Sequence, residues 1–362
     1  MPEGQFLCSD FDELLVELSQ TAGALEIDGA WPANQLQRLA ETGVLGWVIP
    51  EQWGGGGFST QQLMFGYEKL AQSCLVTAFV LTQRNGACQR IAGAENKAMQ
   101  AALLPALCRG EVFATIGISH LTTSRQHLSK PSVRVRRRNG AYLFNGLVPW
   151  VTGAKYADFI LTGGTCDDNQ QILAVIPMSS AGLTVEEPEP LLALNASQTG
   201  PVRFENVEID EQHLVVGPAE QVIKRGSGGG AGSLMTSALA LGAAADTLKR
   251  FQSEAKKRLD LVEIHQTLAY ERKLIASDLY AAARSESAEK IPSLSTESIR
   301  QRANSLVLRS AQAYLVASKG AGFVAGHPAN RAVREAMFFL VWSCPQPVLT
   351  ATLREFTCVL KE

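Results

Sequence analysis

Leu147-Val148-Pro149-Trp150-Val151-Thr152-Gly153-Ala154-Lys155-Tyr156-Ala157-Asp158 is the stretch on which the reading of this chain turns. It follows two Asn-Gly pairs, Asn139-Gly140 and Asn145-Gly146, each expected to turn a hairpin, and precedes the apolar run Phe159-Ile160-Leu161. On a strand, residues two apart project to the same face. Trp150 and Thr152 therefore present a broad apolar plate and a hydroxyl together. That combination suits a flat aromatic ligand, although most such pairs simply pack a sheet.

Outward from this strand the pattern stays β. Val133 and Val135 alternate with Arg134 and Arg136, Asn139-Gly140 makes the turn, and Tyr142-Leu143-Phe144 returns. Short strands are expected at 159–161, 172–176 and 202–209, so residues 113–222 read as a middle β domain. Residues 1–112 read as helical. Asp10 with Glu13 offers a capping box, Pro32 suits a first turn, and Ser59 with Gln62 opens a helix whose Leu63, Tyr67, Leu70 and Ala71 share one face. Gly54 to Gly57 read as a flexible turn before it. Residues 223–362 are helical again, with long patterns over 234–257 and 265–284, a loop over 285–296 and a helix over 299–317.

The chain has 362 residues, 46% of them hydrophobic, and a formal net charge of −2. This balance argues for an ordinary globular protein and against a nucleic-acid partner. Arg136-Arg137-Arg138 is the one tight basic cluster and reads as a solvated hairpin end. Seven cysteines without paired or metal-like spacing point to reduced thiols in the cytoplasm and to no metal site. The N-terminus resembles neither a signal nor a transit peptide. No apolar run approaches the ~20 residues of a membrane helix.

Further landmarks surround the deciding strand. Leu39-Ala40-Glu41-Thr42-Gly43-Val44-Leu45-Gly46-Trp47-Val48-Ile49-Pro50-Glu51-Gln52-Trp53-Gly54-Gly55-Gly56-Gly57 and Tyr67-Glu68-Lys69-Leu70-Ala71 resemble the N-terminal signature of the acyl-CoA dehydrogenase family. Trp150-Val151-Thr152 falls where that family has its flavin-contacting Trp-Ile-Thr strand. Val202 to Ile209 resembles its closing strand of the middle domain, and His265-Gln266 and Gly320-Ala321-Gly322-Phe323 its later helical landmarks. The resemblance implies an α+β multidomain fold: an N-terminal helical domain, a middle β-barrel-like domain and a C-terminal helical bundle. It implies FAD between the last two, with Trp150 and Thr152 at the isoalloxazine. Gly320 and Gly322 would help hold the dinucleotide of a neighbouring subunit, although a helix C-cap explains those glycines almost as well.

Departures from the family pattern bear on the chemistry. Its Thr-Glu-Pro-Gly loop is replaced by Ile118-Ser119-His120-Leu121-Thr122-Thr123-Ser124, where Ser119, Thr122 and Thr123 offer hydroxyls to a cofactor and His120 reads as a polar contact or, as a lone loop histidine more often is, a surface residue. Its Arg-x-x-Phe-Gly element is replaced by Lys256 to Ile264, leaving Lys257 and Arg258 as substitute charges or a solvated helix end. Dehydrogenation beside a thioester needs a carboxylate base. No Asp or Glu occurs between Glu335 and Glu355, and none from Ala231 to Ala245, the two segments where the family carries one. In the first segment stand Trp342-Ser343-Cys344-Pro345, with Cys344 read as an inert buried thiol or, with a lowered pKa, a base or nucleophile. Gly226 to Gly232 reads as a linker or phosphate cradle. Arg84 interrupts an apolar helix and would suit an anionic substrate group, against the alternative of a surface helix face.

Three functions fit these residues. One is an FAD-dependent acyl-CoA dehydrogenase-like oxidoreductase acting on an acyl-CoA or related small substrate, with an electron-transfer flavoprotein as acceptor. Another is a divergent flavoenzyme of the same fold, eliminating, desulfinating or monooxygenating. The last is a non-catalytic homologue. A homodimer or homotetramer is expected in each case.

Overall fold

Apolar residues at helical spacing set the first elements of the chain. In the computed structural model, which describes residues 9–122, 130–225, 233–285 and 287–357, five helices lead: α1 (Ser9–Asp28), α2 (Ala33–Glu41), α3 (Thr60–Ser73), α4 (Leu75–Ala92) and α5 (Lys97–Arg109). The Ser59–Gln62 capping box is formed. Ser59 N donates to Gln62 Oε1 at 2.9 Å and Gln62 N to Ser59 Oγ at 3.4 Å. Asp10, by contrast, lies inside the first turn of α1. There its charge is favoured by the positive end of the helix dipole. The glycine run is not a loose turn either. The amides of Gly55, Gly56, Gly57 and Phe58 donate to the carbonyls of Pro50, Gly46, Ile49 and Trp47 at 2.8–3.3 Å, which ties 54–58 back onto 46–50.

The β region holds β1 (Ala114–Gly117), a one-turn helix α6 (Ser119–Thr122), β2 (Val133–Arg138), β3 (Ala141–Thr152), β4 (Phe159–Cys166), β5 (Gln171–Pro177), β6 (Leu183–Val185), β7 (Thr199–Asp210) and β8 (Leu214–Ala219). They form one mixed sheet in the order β6-β7-β3-β2-β4-β5-β8, with β1 parallel to β4. Its inner residues, among them Val133, Phe144, Val148, Ile160, Ile172 and Phe204, make a core of their own. Leu161, Leu173 and Val175 of β4 and β5 instead join the core of the helices.

The two Asn-Gly pairs part company. Asn139 (φ 52°) and Gly140 (φ 83°) make the expected tight turn between β2 and β3. At Asn145-Gly146 there is no turn, and β3 runs straight through with a register shift. Gly146 has φ 138°, and a Cβ there would lie 2.1 Å from Ser132 O, so the glycine serves a bulge.

The remaining helices are α7 (Leu234–Ala255), α8 (Val262–Arg284), α9 (Thr296–Gly322), α10 (Pro328–Val341) and α11 (Gln346–Phe356). Helix α7 packs against α3 closely enough that a Cβ at Gly242 would meet Glu68 O at 2.3 Å. Glu68 in turn pairs with Arg272 and accepts from Tyr280 Oη at 3.0 Å, fastening α3 to α8. Among the described residues, no helix is long and apolar enough to cross a membrane.

Candidate functional site

The sheet and the helices meet around a cleft of about 1030 Å³, at the top of the ~300–1,000 Å³ range of small-molecule sites. Helix α4 gives it one stripe, Phe79, Thr82, Gln83 and Gly86, spaced i, i+3, i+4, i+7. Strand β3 gives Trp150 and Thr152, from one face as the period of two requires, and α6 adds Ser119 and Thr122. The first turn of α7 and the end of α10 close it, the latter through Phe338, Trp342 and Ser343.

The sheet end of the cleft is built from hydroxyls. Thr152 and Thr199 are cross-strand partners in the β3–β7 ladder, with their Oγ1 atoms 2.9 Å apart. Ser197 Oγ lies 2.8 Å from Thr199 Oγ1. Three hydroxyls joined by two hydrogen bonds leave one proton over. Ser197 is fully buried, so the proton left over is carried by Thr199 or Thr152, both of which line the cleft. Ser119 Oγ is buried at the cleft and has no hydrogen-bond partner among the described residues. Trp150 remains 45% exposed. These residues were expected at a cofactor; Thr199 and Ser197 were not. Their link to Thr152 is one of strand register, across 47 residues of sequence.

Arg84 corrects the expectation placed on it. It lies on neither the cleft nor a surface helix face: it is fully buried, and Nη1 donates to Leu45 O at 2.8 Å and Asn85 Oδ1 at 2.9 Å, while Nη2 donates to Leu107 O. Asn85 passes this order on to Tyr67 Oη at 2.8 Å, and Tyr67 does line the cleft. Arg84 is thus a core clamp, because three acceptors from separate segments surround it. Of the two readings of His120, the polar contact is the one found and the surface residue is not: the ring is buried, with Nε2 2.9 Å from Gly163 O. Gly320 and Gly322 close α9 and lie outside the cleft of their own chain. Arg258 donates to Ala317 O at 3.0 Å and Lys257 pairs with Glu254, so neither reaches the cleft. Thr123, Ser124 and Gly226 to Gly232 lie outside the described residues.

The α10 end is aromatic. Phe338 and Trp342 stack at 5.0 Å and 13°, and Phe79 meets Trp342 edge-on at 5.2 Å. No Asp or Glu lines the cleft among the described residues. Its one charged residue there, Arg334, is held by Glu26 and donates to Leu192 O at 3.0 Å. Glu335, the acid just before the acid-free segment, faces away toward Arg331 at 3.7 Å. Burial pushes its carboxyl up to about 7, with Arg331 opposing and Glu26 and Asp246 adding to the rise.

Comparison with known proteins agrees with this architecture. Residues 14–111 match the family model described as the acyl-CoA dehydrogenase N-terminal domain. The mouse (Mus musculus) short-chain specific acyl-CoA dehydrogenase is 24% identical over 219 residues, 58% of this chain and 52% of that protein. The chain thus spans about half the length of such a curated relative. Among solved structures, glutaryl-coenzyme A dehydrogenase in complex with glutaryl-CoA superposes with a TM-score of 0.80 at 19% identity, over 97% of this chain and 96% of that one. KijD3 in complex with FMN and a dTDP-linked amino keto sugar gives 0.79 at 17% identity, over 100% and 95%. Residues 14–111 are thus similar to that family's N-terminal domain, and with its helices, mixed sheet and helical bundle in this order the chain has an acyl-CoA dehydrogenase-like fold.

Proposed function

We propose that this protein is a flavin-dependent oxidoreductase whose substrate is not deprotonated by a carboxylate of the cleft. The observation that carries this reading is the contrast within the cleft. A cluster of hydroxyls, one of them (Ser119 Oγ) without a partner among the described residues, and an exposed indole stand at one end, and no described acid stands anywhere along it.

The residues fit FAD by their chemistry. Ser119 Oγ is a buried polar atom in want of a partner, and a ligand with ring heteroatoms supplies one. The Thr152–Thr199 pair, linked to Ser197, has one proton more than its two internal hydrogen bonds use and can donate it into the cleft. Trp150 offers a flat face for a fused ring and excludes water from it. The first turn of α7 brings backbone amides without intrahelical acceptors to the same space. A bound flavin would supply the two-electron acceptor.

The missing acid favours a divergent flavoenzyme, eliminating, desulfinating or oxygen-using, over an ordinary acyl-CoA dehydrogenase. A carboxylate is the group suited to remove a proton beside a thioester at neutral pH. Glu335 is directed into its cluster with Arg331 and Asp246. Cys344 stands in the segment where the base would fall, but burial pushes its thiol up, which weakens it as a base. On this reading the protein works in the cytoplasm as a homodimer or homotetramer on a small substrate. Its electrons pass to oxygen or to an electron-transfer flavoprotein.

The deciding experiment is the visible spectrum of the purified protein, with mass spectrometry of whatever denaturation releases, followed by anaerobic addition of acyl-CoA esters. Bound or readily incorporated flavin that acyl-CoA does not bleach supports the proposal. Bleaching by acyl-CoA restores ordinary dehydrogenation, and failure to take up flavin leaves a non-catalytic homologue.

A further inference from the structure

Among the described residues one charged side chain lines the cleft, Arg334. Helix α10 presents Arg334, Met337, Phe338 and Val341 to that space, spaced i, i+3, i+4, i+7. An apolar stripe therefore runs from the arginine to the end of the helix, about 10 Å along its axis. Nε donates to Asn330 Oδ1 at 3.0 Å, within α10. Nη1 donates to Glu26 of α1 and, at 3.0 Å, to Leu192 O in the segment before β7. Glu26 is itself buried and accepts from Leu194 N at 3.1 Å, where Leu194 takes the left-handed backbone at φ 63°. Leu192 and Leu194 line the cleft as well, so the contacts that fix the arginine also fix the cleft's edge.

A guanidinium carries five N–H donors. Nε and Nη1 commit three of them. Nη2, with the other two, meets no acceptor among the described residues and is not sealed from solvent. Arg84 offers a contrast, since its Nη1 and Nη2 both donate to protein carbonyls away from the cleft. The surroundings of Arg334 Nη2 select its ligand. Glu26 balances the arginine's charge, and no second cation lines the cleft among the described residues. A phosphate monoester, with close to two negative charges at neutral pH, asks for more than this. A carboxylate carries one charge, and the planar edge of a guanidinium matches it. No described acid lines the cleft to repel it, and Met337, Phe338 and Val341 favour an apolar body beside it.

We propose that the substrate of the cleft is a monocarboxylate with an apolar body. Its carboxylate accepts from Arg334 Nη2, and its body lies along α10 toward Trp342. The hydroxyl-lined sheet end stays available to the flavin ring. Arg334 determines specificity, and Asn330, Glu26 and Leu192 O position it. This deepens the reading of the cleft as the substrate site of a flavin-dependent oxidoreductase and rests on it.

The test titrates the full chain, with riboflavin present, against ω-phenylhexanoate and its neutral amide, ω-phenylhexanamide, by calorimetry. The acid is expected to bind about tenfold tighter than the amide in the wild type. Arg334→Gln should bring the two within about twofold by weakening the acid. That variant leaves Glu26 unpaired, so the double variant Glu26→Gln/Arg334→Gln is measured beside it and should show the same loss. Equal binding in the wild type, no binding of either compound, or an acid preference that survives in both variants would overturn the proposal. So would a fall in FAD affinity without a fall in riboflavin affinity in Arg334→Gln, since the arginine would then hold the flavin's phosphates. Should neither variant fold, a crystal structure of the wild type with ω-phenylhexanoate decides. The carboxylate is expected within hydrogen-bond reach of Nη2, and its placement elsewhere refutes the assignment. Riboflavin uptake, read from the visible spectrum of the same samples, separates the two levels. Uptake without acid preference sinks this inference alone, and no uptake sinks the oxidoreductase reading together with it.

Discussion

Two tryptophans line the cleft and do opposite work. Trp150 projects from β3 with 45% of its surface exposed and no ring contact among the described residues. Trp342, at the end of α10, is stacked on Phe338, met edge-on by Phe79 and backed by Arg300. One indole is left available to a ligand, and the other is committed to holding the shape of the wall. An aromatic side chain contributes to stability through the partners it already has and to binding through the face it keeps free.

Trp342→Ala is therefore expected to cost about 3 kcal/mol of folding stability, the usual range for removing a packed aromatic. Trp150→Ala should cost less than ~1 kcal/mol, as an exposed side chain does, while lowering flavin retention. Denaturant melts of both variants, paired with flavin content, check the contrast. A Trp150→Ala protein less stable than Trp342→Ala would break it.

The acid nearest in sequence to the aromatic wall sharpens the comparison by pH. Glu335 holds its proton up to about 7 in the folded protein, against the ordinary carboxylate value of 4.5 when unfolded. The folded state therefore binds more protons between these values, and stability falls as pH rises through that window. Its side chain is 15% exposed, so the loss should stay below the ~3 kcal/mol that such a shift sets as a ceiling. Glu335→Gln should flatten the decline between pH 5 and pH 8, roughly its full span. Unchanged slopes in urea melts at the two pH values would mean that the carboxyl is charged throughout.

How much of this was legible in the sequence follows the range of the interactions. Short-range signals were readable: the Ser59–Gln62 cap, the Asn139-Gly140 turn and the shared face of Trp150 and Thr152 all depend on neighbours within a few residues. Asn145-Gly146 reads the same way and is a bulge, because pairing with β7 and the approach of Ser132 O override the local turn preference. Arg84 looked like a ligand-binding cation because an arginine in an apolar helix is unusual. Its acceptors come from residues 45 and 107, which no spacing rule connects to it. The same holds for Thr199 beneath Thr152 and for Arg300 behind Trp342. The family landmarks supplied the overall fold, and tertiary contacts determined which polar residues reach the cleft.

A smaller effect separates the members of the hydroxyl chain. Thr199→Val strands Ser197 Oγ in a fully buried position, so it should cost about 1–2 kcal/mol of stability. Thr152→Val removes the cleft end of the chain and leaves Ser197–Thr199 intact. It should weaken flavin about fivefold, near 1 kcal/mol, with less change in stability. Flavin titrations and thermal melts of both variants measure the split. Equal behaviour would mean that the chain does not point its proton toward the cleft.

Ser119 gives the finest test, because its hydroxyl has no partner to lose. In the flavin-free protein Ser119→Ala removes a buried polar atom that bonds nothing among the described residues, so stability should hold or rise by less than ~1 kcal/mol. With flavin present the sign should reverse, since the atom that was idle is then the one engaged, and affinity should fall by about two- to fivefold. Differential scanning calorimetry with and without flavin reads both signs on one preparation. Stabilisation that persists unchanged with flavin bound would show that Ser119 does not contact the ligand, and the sheet end of the cleft would then rest on Trp150 and Thr152 alone.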